Sequence, residues 1–398
     1  MDWLEGGEGQ KPILVVTGPA GSGKTSLLKT IARMYKEKDC HPASFFFSAT
    51  DRERNKPTFL INTIVYQIAV AVPELQPYIA RAIKDDSTVL SWSSTTQSAR
   101  LLMQPQTDLL AVYPDLPIRK RLIIIDALDE CTDQLEVLST LTRALSDNFL
   151  DFRCLLSSRL DNHIENALTL TESLIHDRLF LGGDEDAEQS DIRFFLTAEI
   201  ERVLSHHPMR ARIPPDWPKK ADIDTLVERS SGLFLYAATV IRYIDSPFDQ
   251  PSDRLHYILH TPTMKYGASP FAALDNLYRI LMTSIKNIEA ANEILGVELI
   301  RSISHFWTPK SLDEYVFKRH FEALDADIVL APLRPILMCA NGSIKLLHSS
   351  FADFLLDSTR SREFFVRPNI WQKWIVSRLV PYFYDKNSRP NLLCLRAF

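Results

Sequence analysis

Short apolar runs alternate with longer amphipathic segments from residue 12 to about residue 181. This alternation is typical of a parallel β-sheet with helices packed on its faces, because a crossover helix follows each buried strand. We therefore predict an α/β sandwich. Its predicted strands are Ile13–Thr17, Ser44–Ser48, Leu122–Asp126, Cys154–Ser157 and Leu179–Leu181. Its predicted helices are Lys24–Lys36, Thr58–Ala71, Ser94–Ala111 and Leu135–Ala144.

Helical periodicity replaces this pattern beyond the polar segment 182–186. Apolar positions there recur at spacings of three and four residues, as they do on the buried face of an amphipathic helix. Such stripes predict helices whose apolar faces form a core rather than a ligand surface. The stripes cover Ile192–Leu204, Leu226–Ile244, Leu274–Ile285 and Ile294–Ile303.

A third pattern begins near residue 309. Ser311 and Glu314 form a capping box for one helix, and Asn341-Gly342 favours a type I′ turn between two short apolar runs. Two helices, a hairpin and a further helix predict a winged helix. The predicted helices are 311–321, 326–332 and 351–356, and the predicted strands are Ile336–Ala340 and Ser343–Leu347.

A chain of 398 residues is too long for one compact core, which predicts several domains. We predict an α/β core at 1–205, a helical domain at 206–308, a winged helix at 309–358 and a helical tail of unassigned role at 359–398.

Composition narrows the class of protein. Hydrophobic residues make up 45% of the chain and charged residues 24%, as in ordinary soluble proteins. The net charge of −5 argues against an extended nucleic-acid surface. The five cysteines include no C-x-x-C pair, which favours a reducing compartment. With no signal peptide and no apolar run of bilayer length, a cytoplasmic protein without membrane contact is predicted. Acidic residues also argue against DNA binding by the winged helix: Asp313, Glu314, Glu322, Asp325 and Asp327.

A phosphate-binding motif directly follows the first predicted strand. It reads Gly18-Pro19-Ala20-Gly21-Ser22-Gly23-Lys24-Thr25, or G-x-x-x-x-G-K-T, and is followed by Ser26. Glycines let the backbone N–H groups curl around an anion with no Cβ in the way. Lys24 is placed to reach the β- and γ-phosphates and the Thr25 hydroxyl to coordinate Mg²⁺, while Ser26 begins a helix whose N-terminus faces the phosphates. These nine residues therefore predict a nucleotide site.

An apolar strand that ends in acidic residues lies about a hundred residues later. Its Ile123-Ile124-Ile125 run leads into Asp126-Ala127-Leu128-Asp129-Glu130, the Walker B pattern. The run predicts an interior strand beside the phosphate-loop strand, so that Asp126 holds Mg²⁺ through water. Asp129 or Glu130 would then orient or deprotonate the attacking water. The alternative for both carboxylates is an N-cap of the next helix.

The next predicted strand ends in Ser157-Ser158-Arg159 at the same edge of the sheet. There Arg159 would contact the γ-phosphate and sense its presence, although a lone arginine at a strand end is also a common surface ion-pair partner. The combined motifs predict a Mg²⁺-dependent nucleoside triphosphatase. Because no [N/T]-K-x-D stretch is present to read guanine, ATP and ADP are the expected nucleotides.

The wording of these motifs, G-P-A-G-S-G-K-T, I-I-D-A-L-D-E-C and L-S-S-R, resembles the NACHT domain of fungal STAND-class NTPases, often labelled nephrocystin-3-like. Three later stretches resemble that family too: S-G-L-F-L-Y-A-A-T at Ser231–Thr239, L-D-N-L-Y at Leu274–Tyr278 and L-H-S-S-F-A-D-F-L-L-D at Leu347–Asp357. The likeness thus runs from residue 3 to about residue 358. Such proteins are similar in plan to animal NOD-like receptors and plant resistance proteins.

The resemblance implies a signalling switch more than a metabolic enzyme. ADP would hold the domains closed, exchange for ATP would open them for homo-oligomerisation, and slow hydrolysis would reset the state. His348 matches the winged-helix histidine that contacts the β-phosphate of ADP, with capping of the following helix as its alternative role. Phe234 stands where related switches carry the proline of G-L-P-L, which rests against adenine. The effector domain and the WD40, ankyrin or TPR repeats usual in relatives are not expected within these residues.

Two other functions stay open on the sequence. One is a constitutive P-loop ATPase or kinase whose acidic block acts on a small acceptor. The other is an inert fragment that binds nucleotide without output. A kinase would turn over only with its acceptor, and a fragment would bind nucleotide without changing its oligomeric state.

Overall fold

The computed structural model describes residues 3, 11–38, 42–49, 51, 53–114, 121–146, 152–159, 164–166, 168, 176–261, 271–303, 322, 324–340 and 343–383. They form two compact units, Met1–Gly183 and Asp184–Phe398. Each unit has its own buried hydrophobic residues. The division into four domains stays a prediction.

A five-stranded sheet, parallel throughout, forms the centre of the first unit. The order of its strands is β2-β3-β4-β1-β5. Ile123 and Ile125 face one apolar layer while Leu122 and Ile124 face the other, because successive side chains point to opposite faces. The predicted α/β class is therefore confirmed. The strands are β1 (Ile13–Thr17), β2 (Ala43–Phe46), β3 (Arg121–Asp126), β4 (Phe152–Ser158) and β5 (His176–Phe180).

The phosphate-loop strand and the acidic strand are not neighbours, so that part of the sequence prediction is wrong. Strand β4 lies between them: Leu156 is opposite Val15 on one side and Ile125 on the other. An apolar run indicates burial on both faces, but the crossover connections decide which strands are adjacent. The carboxyl ends of β1, β4 and β3 still meet at one edge of the sheet.

Helices surround this sheet, with two differences from the pattern predicted. The single helix expected over Ser94–Ala111 is instead two α-helices joined by a π-helical turn at Ala99–Met103. Pro105 lacks the N–H that an unbroken α-helix would direct to Leu101. A helix at Gln76–Asp85 was not predicted. The α-helices are α1 (Lys24–Glu37), α2 (Pro57–Ala71), α3 (Gln76–Asp85), α4 (Ser94–Ser98), α5 (Gln104–Val112) and α6 (Gln134–Ser146).

The second unit is mainly helical. The helix predicted over Leu226–Ile244 is broken at Ser231 and Gly232, whose φ angles are 46° and 78°. The left-handed φ at Gly232 favours glycine, because a residue with a Cβ would be strained there. The helices are α7 (Glu185–His206), α8 (Lys220–Ser230), α9 (Phe234–Ile244), α10 (Pro251–His260, not predicted), α11 (Ala272–Thr283), α12 (Ile288–Ile303), α13 (Ala326–Val329), α14 (Ser349–Leu356), α15 (Ser358–Ser361) and α16 (Pro368–Phe383).

The predicted hairpin is present in the second unit. Strands β6 (Leu337–Ala340) and β7 (Ser343–Leu346) are antiparallel, with Cys339 opposite Ile344. The predicted helix 311–321 with its capping box, and the turn Asn341-Gly342, lie outside the described residues. The winged helix therefore stays a prediction.

The segment after Asp357, which no motif explained, includes helix α16. Its Trp371 packs against α12 at Gly296, where a Cβ would lie 2.3 Å from the indole ring. Ile375 of the same helix is buried in the core of the second unit. The tail predicted from residue 359 thus contributes to this core.

No single helix among the described residues is both long and apolar enough to cross a bilayer. Within the same residues, only the bent pair Pro57–Ala71 and Pro73–Asp85, at 115° to each other, meets the length and composition when taken together. Leu60, Ile64 and Ile68 of this pair are buried in the core of the first unit.

Candidate nucleotide-binding site

The loop between β1 and α1 is built around its glycines. Gly21 and Gly23 have φ angles of 84° and 96°, which glycine adopts without the Cβ strain of other residues. A Cβ on Gly18 would lie 2.4 Å from the carbonyl oxygen of Leu181 and 2.9 Å from Oγ of Ser22. The backbone therefore makes a tight concave turn that other residues would fill.

Lys24 is the buried cation of this loop. It is only 9% exposed, and its Nζ donates hydrogen bonds to the carbonyl oxygens of Gly18 at 2.7 Å and Pro19 at 2.8 Å. Burial lowers the pKa of Lys24 from 10.5 to about 8, and the charges of Asp129, Arg159 and Asp126 also act on it. The structure thus brings these four predicted site residues into one electrostatic cluster.

The rest of the loop fits a phosphate group. The Oγ atom of Ser22 is buried and has no hydrogen-bond partner among the described residues, which leaves a polar group for an incoming oxygen. The first N–H groups of α1 have no partner within their own helix and suit an anion. Ala20 is buried, while Pro19, Thr25 and Ser26 are exposed. Phosphate oxygens would be held by this loop, and Mg²⁺ by Thr25 and Asp126.

Asp126 is buried at the end of β3, and Ser157 of β4 holds its carboxylate. The Ser157 hydroxyl donates to Oδ1 of Asp126 and accepts the N–H of Ala127 at 3.0 Å. Sequence reasoning missed this role of Ser157, although the small polar residues at the end of the next strand were a usable signal. Ser157 orients the carboxylate because β4 lies directly beside β3.

Asp129 and Arg159 form an ion pair. Oδ2 of Asp129 lies 3.1 Å from Nε of Arg159, and Oδ1 accepts the backbone N–H of Arg159 at 3.0 Å. Both carboxylate oxygens of Asp129 therefore contact the same residue. The Asp129 side chain is 11% exposed and that of Arg159 is 32% exposed, so solvent screens this pair only partly.

Glu130 points to a different element. Its Oε2 accepts the backbone N–H of Ala49, just after β2, at 2.9 Å. Both acids lie in the short 3₁₀ turn Leu128–Glu130, which follows Ala127; the φ of 56° at Ala127 is unusual for a residue with a Cβ. A different acid caps the next helix: Asp133 accepts the N–H of Glu136 at 2.9 Å, which contradicts the capping alternative.

His348 lies in the second unit, where it is the N-cap of α14. Its Nδ1 accepts the backbone N–H of Ser350 at 3.0 Å. The capping role considered from the sequence is therefore present. Contact with a nucleotide stays a proposal for this residue.

Among the described residues, no group of three or more His, Cys, Asp or Glu side chains is arranged to hold a metal ion. Mg²⁺ usually binds through one or two protein ligands, several waters and the substrate phosphates. The Thr25 and Asp126 side chains suit that kind of site.

The sequence is similar to a known family and to a known fungal protein. Residues 1–159 match the model of the family described as Nephrocystin 3, N-terminal. The chain is 25% identical over 379 residues to the vegetative incompatibility protein HET-E-1 of Podospora anserina. That match covers 91% of this chain but only 25% of the relative, so the chain spans about a quarter of its length. The resemblance indicated by the motifs is confirmed.

Proposed function

We propose that this chain is an ADP- and ATP-binding switch of the STAND class that hydrolyses ATP slowly and acts in fungal self or non-self recognition. The observation that carries the proposal is the phosphate loop with buried Lys24, beside the Asp126 carboxylate and the Asp129–Arg159 pair. The name of the fungal relative, an incompatibility protein, supports the signalling role.

Each residue of the site has a distinct task in this proposal. Lys24 leaves the uncharged carbonyl oxygens of Gly18 and Pro19 and binds phosphate instead. Its ammonium group then pairs with a negatively charged oxygen. Bound Mg²⁺ would neutralise phosphate charge during transfer to water. Arg159 is held by Asp129 until a γ-phosphate competes for its guanidinium. Asp129 or Glu130 orients or deprotonates the attacking water: both oxygens of Asp129 contact Arg159, and Oε2 of Glu130 accepts the Ala49 N–H.

The nucleotide released from purified protein tests the proposal. We expect mass spectrometry to find trapped ADP, with ATP turnover well below the ~10 s⁻¹ typical of metabolic enzymes. Exchange for ATP should increase the molar mass in light scattering. A folded protein that binds neither nucleotide in calorimetry contradicts the proposal, while turnover that needs an added acceptor favours a kinase.

Substitution of the two acids separates their roles. Glu130→Gln keeps an oxygen to accept the Ala49 N–H but cannot take a proton, so ATP turnover should fall by about 100-fold or more with nucleotide affinity unchanged. Asp129→Asn weakens the hold on Arg159 and should reduce turnover much less. Both rates are measured by phosphate release under saturating ATP. A larger loss in Asp129→Asn would assign the water to Asp129.

Nucleotide affinity should depend on pH through Lys24. Its pKa of about 8 in the nucleotide-free protein means that the ammonium is present below pH 8 and is lost above it. Bound phosphate raises this pKa, so binding above pH 8 takes up a proton. Affinity for ADP should therefore fall by up to about tenfold per pH unit above that point. Calorimetry in buffers of different ionisation enthalpy measures the proton uptake, and a flat profile to pH 10 would argue against this role.

A further inference from the structure

Two histidines lie one turn apart on the solvent side of α10. His256 and His260 are both exposed, whereas Leu255 and Ile258 of the same helix are buried in the core of the second unit. Residues four apart in a helix are neighbours on its surface. No other two of the ten histidines in the sequence are four residues apart. The helix therefore presents two imidazoles side by side to solvent.

The two imidazole rings are stacked. Their centroids are 3.8 Å apart, and their planes differ by 29°. Two imidazole nitrogens that bind one metal ion at about 2.0–2.1 Å lie roughly 3 Å from each other. A small rotation about the side-chain bonds is therefore enough to bring one nitrogen of each ring to a shared ion. The pair has the spacing that a chelate needs.

A hydrogen bond determines which nitrogen of His260 is available. Its Nδ1 lies 2.9 Å from the carbonyl oxygen of His256, and a carbonyl oxygen only accepts, so Nδ1 carries the proton. In the neutral ring Nε2 then keeps its lone pair. Histidines that bind metal ions typically donate their other N–H to a backbone carbonyl or a carboxylate in this way. Among the described residues, Nε2 of His260 and both ring nitrogens of His256 have no hydrogen-bond partner.

The charged residues around the pair leave the imidazoles available to a cation. Asp253 lies three residues before His256, on the same side of the helix, and its carboxylate attracts positive charge. Two arginines of this region have other partners. Arg254 pairs with Asp249, and Arg229 donates to two backbone carbonyl oxygens at the end of α10. Neither arginine therefore occupies an imidazole nitrogen.

His206 of α7 has the same local geometry without the second imidazole. It is also the last residue of its helix, and its Nδ1 contacts the carbonyl oxygen of the residue four positions earlier, Arg202. Its Nε2 lies 3.3 Å from Oδ1 of Asp245, so this nitrogen already has a partner. His206 is therefore a matched control for the histidines of α10.

We propose that His256 and His260 form a two-ligand site for a divalent cation of the late first transition series, with Zn²⁺ as the ion to test. Imidazole nitrogen suits Zn²⁺, Cu²⁺ and Ni²⁺, whereas Mg²⁺ prefers oxygen ligands. Within the described ranges no third His, Cys, Asp or Glu side chain completes the site, so water fills the other coordination positions. Bound metal ties His260 to the preceding turn and stabilises the end of α10. Neither ligand belongs to the proposed nucleotide site.

Calorimetry with ZnCl₂ on the nucleotide-free full chain tests the site. His256→Phe keeps an aromatic ring that stacks on His260 but removes the ligand nitrogen. A chelate holds its second ligand at a high effective concentration, so Zn²⁺ affinity should fall by about tenfold or more. The same change at His206 should leave the affinity as it is. Wild-type protein that binds no Zn²⁺, or equal affinity in wild type and His256→Phe, overturns the inference.

Cu²⁺ identifies the ligands directly. Electron paramagnetic resonance of the Cu²⁺-loaded wild type should show hyperfine splitting from two imidazole nitrogens, and from one in His256→Phe or His260→Phe. The His206→Phe spectrum should match the wild type. A wild-type spectrum without two imidazole ligands, or one that neither α10 substitution changes, would place the metal elsewhere and contradict the proposal.

The metal site and the proposed function fail separately. Lys24→Ala should bind Zn²⁺ as the wild type does, because Lys24 is not a ligand of this site. His256→Phe should likewise bind ADP with wild-type affinity. If the wild type binds Zn²⁺ through α10 but no ADP, the proposed function fails alone, and the reverse result overturns only the metal site.

Discussion

Lys24→Ala is expected to weaken ADP and ATP binding by at least about 100-fold, measured by calorimetry. Lys24 is the buried cation of the loop, and its Nζ donates to the uncharged carbonyl oxygens of Gly18 and Pro19. Phosphate oxygens offer it a full negative charge instead. Alanine leaves the backbone N–H groups of the loop in place, so any residual affinity measures what they contribute.

The fold itself should tolerate this change. Burial lowers the pKa of Lys24 to about 8, which means that the charged form is less favourable in the folded protein than in the unfolded chain. Below pH 8 the buried charge therefore opposes folding, and nucleotide-free Lys24→Ala should melt at the same temperature or higher. Lys36→Ala, at an exposed position of the same helix, is the matched control for binding. If both variants lost the same nucleotide affinity, Lys24 would have no specific role in binding phosphate.

Gly296→Ala is expected to lower the free energy of unfolding by about 1–3 kcal/mol, measured by denaturant titration. The same change inside a helix ordinarily stabilises by about 1 kcal/mol, because glycine loses more backbone entropy on folding. At Gly296 the added Cβ would lie 2.3 Å from the Trp371 ring. Steric overlap between α12 and α16 thus reverses the usual sign.

A double-mutant cycle identifies the clash. In a Trp371→Ala background the overlap is gone, so Gly296→Ala should become neutral or stabilising. Trp374→Ala removes a second tryptophan that packs against the same core and serves as the control, since Gly296→Ala should stay destabilising there. The same destabilisation in all three backgrounds would show that Trp371 is not the cause.

The site was predictable where its chemistry is local in sequence. The phosphate loop joins a strand to a helix within a few residues, so glycine spacing and Lys24 specify it without knowledge of the rest of the fold. The partners of Asp129 and Glu130 were not predictable. Asp129 pairs with Arg159, which directly follows β4, and Glu130 accepts the backbone N–H of Ala49. Both partners are distant in sequence.

The sequence by itself determined the α/β class, most element positions and the phosphate loop, because hydrophobic periodicity and turn residues act over short stretches. Tertiary structure alone decided that β4 separates β1 from β3 and that Ser157 holds Asp126. Strand order and side-chain pairing depend on which segments meet in space. The apolar pattern determines which residues are buried, but the packing of the whole chain determines which residues they contact.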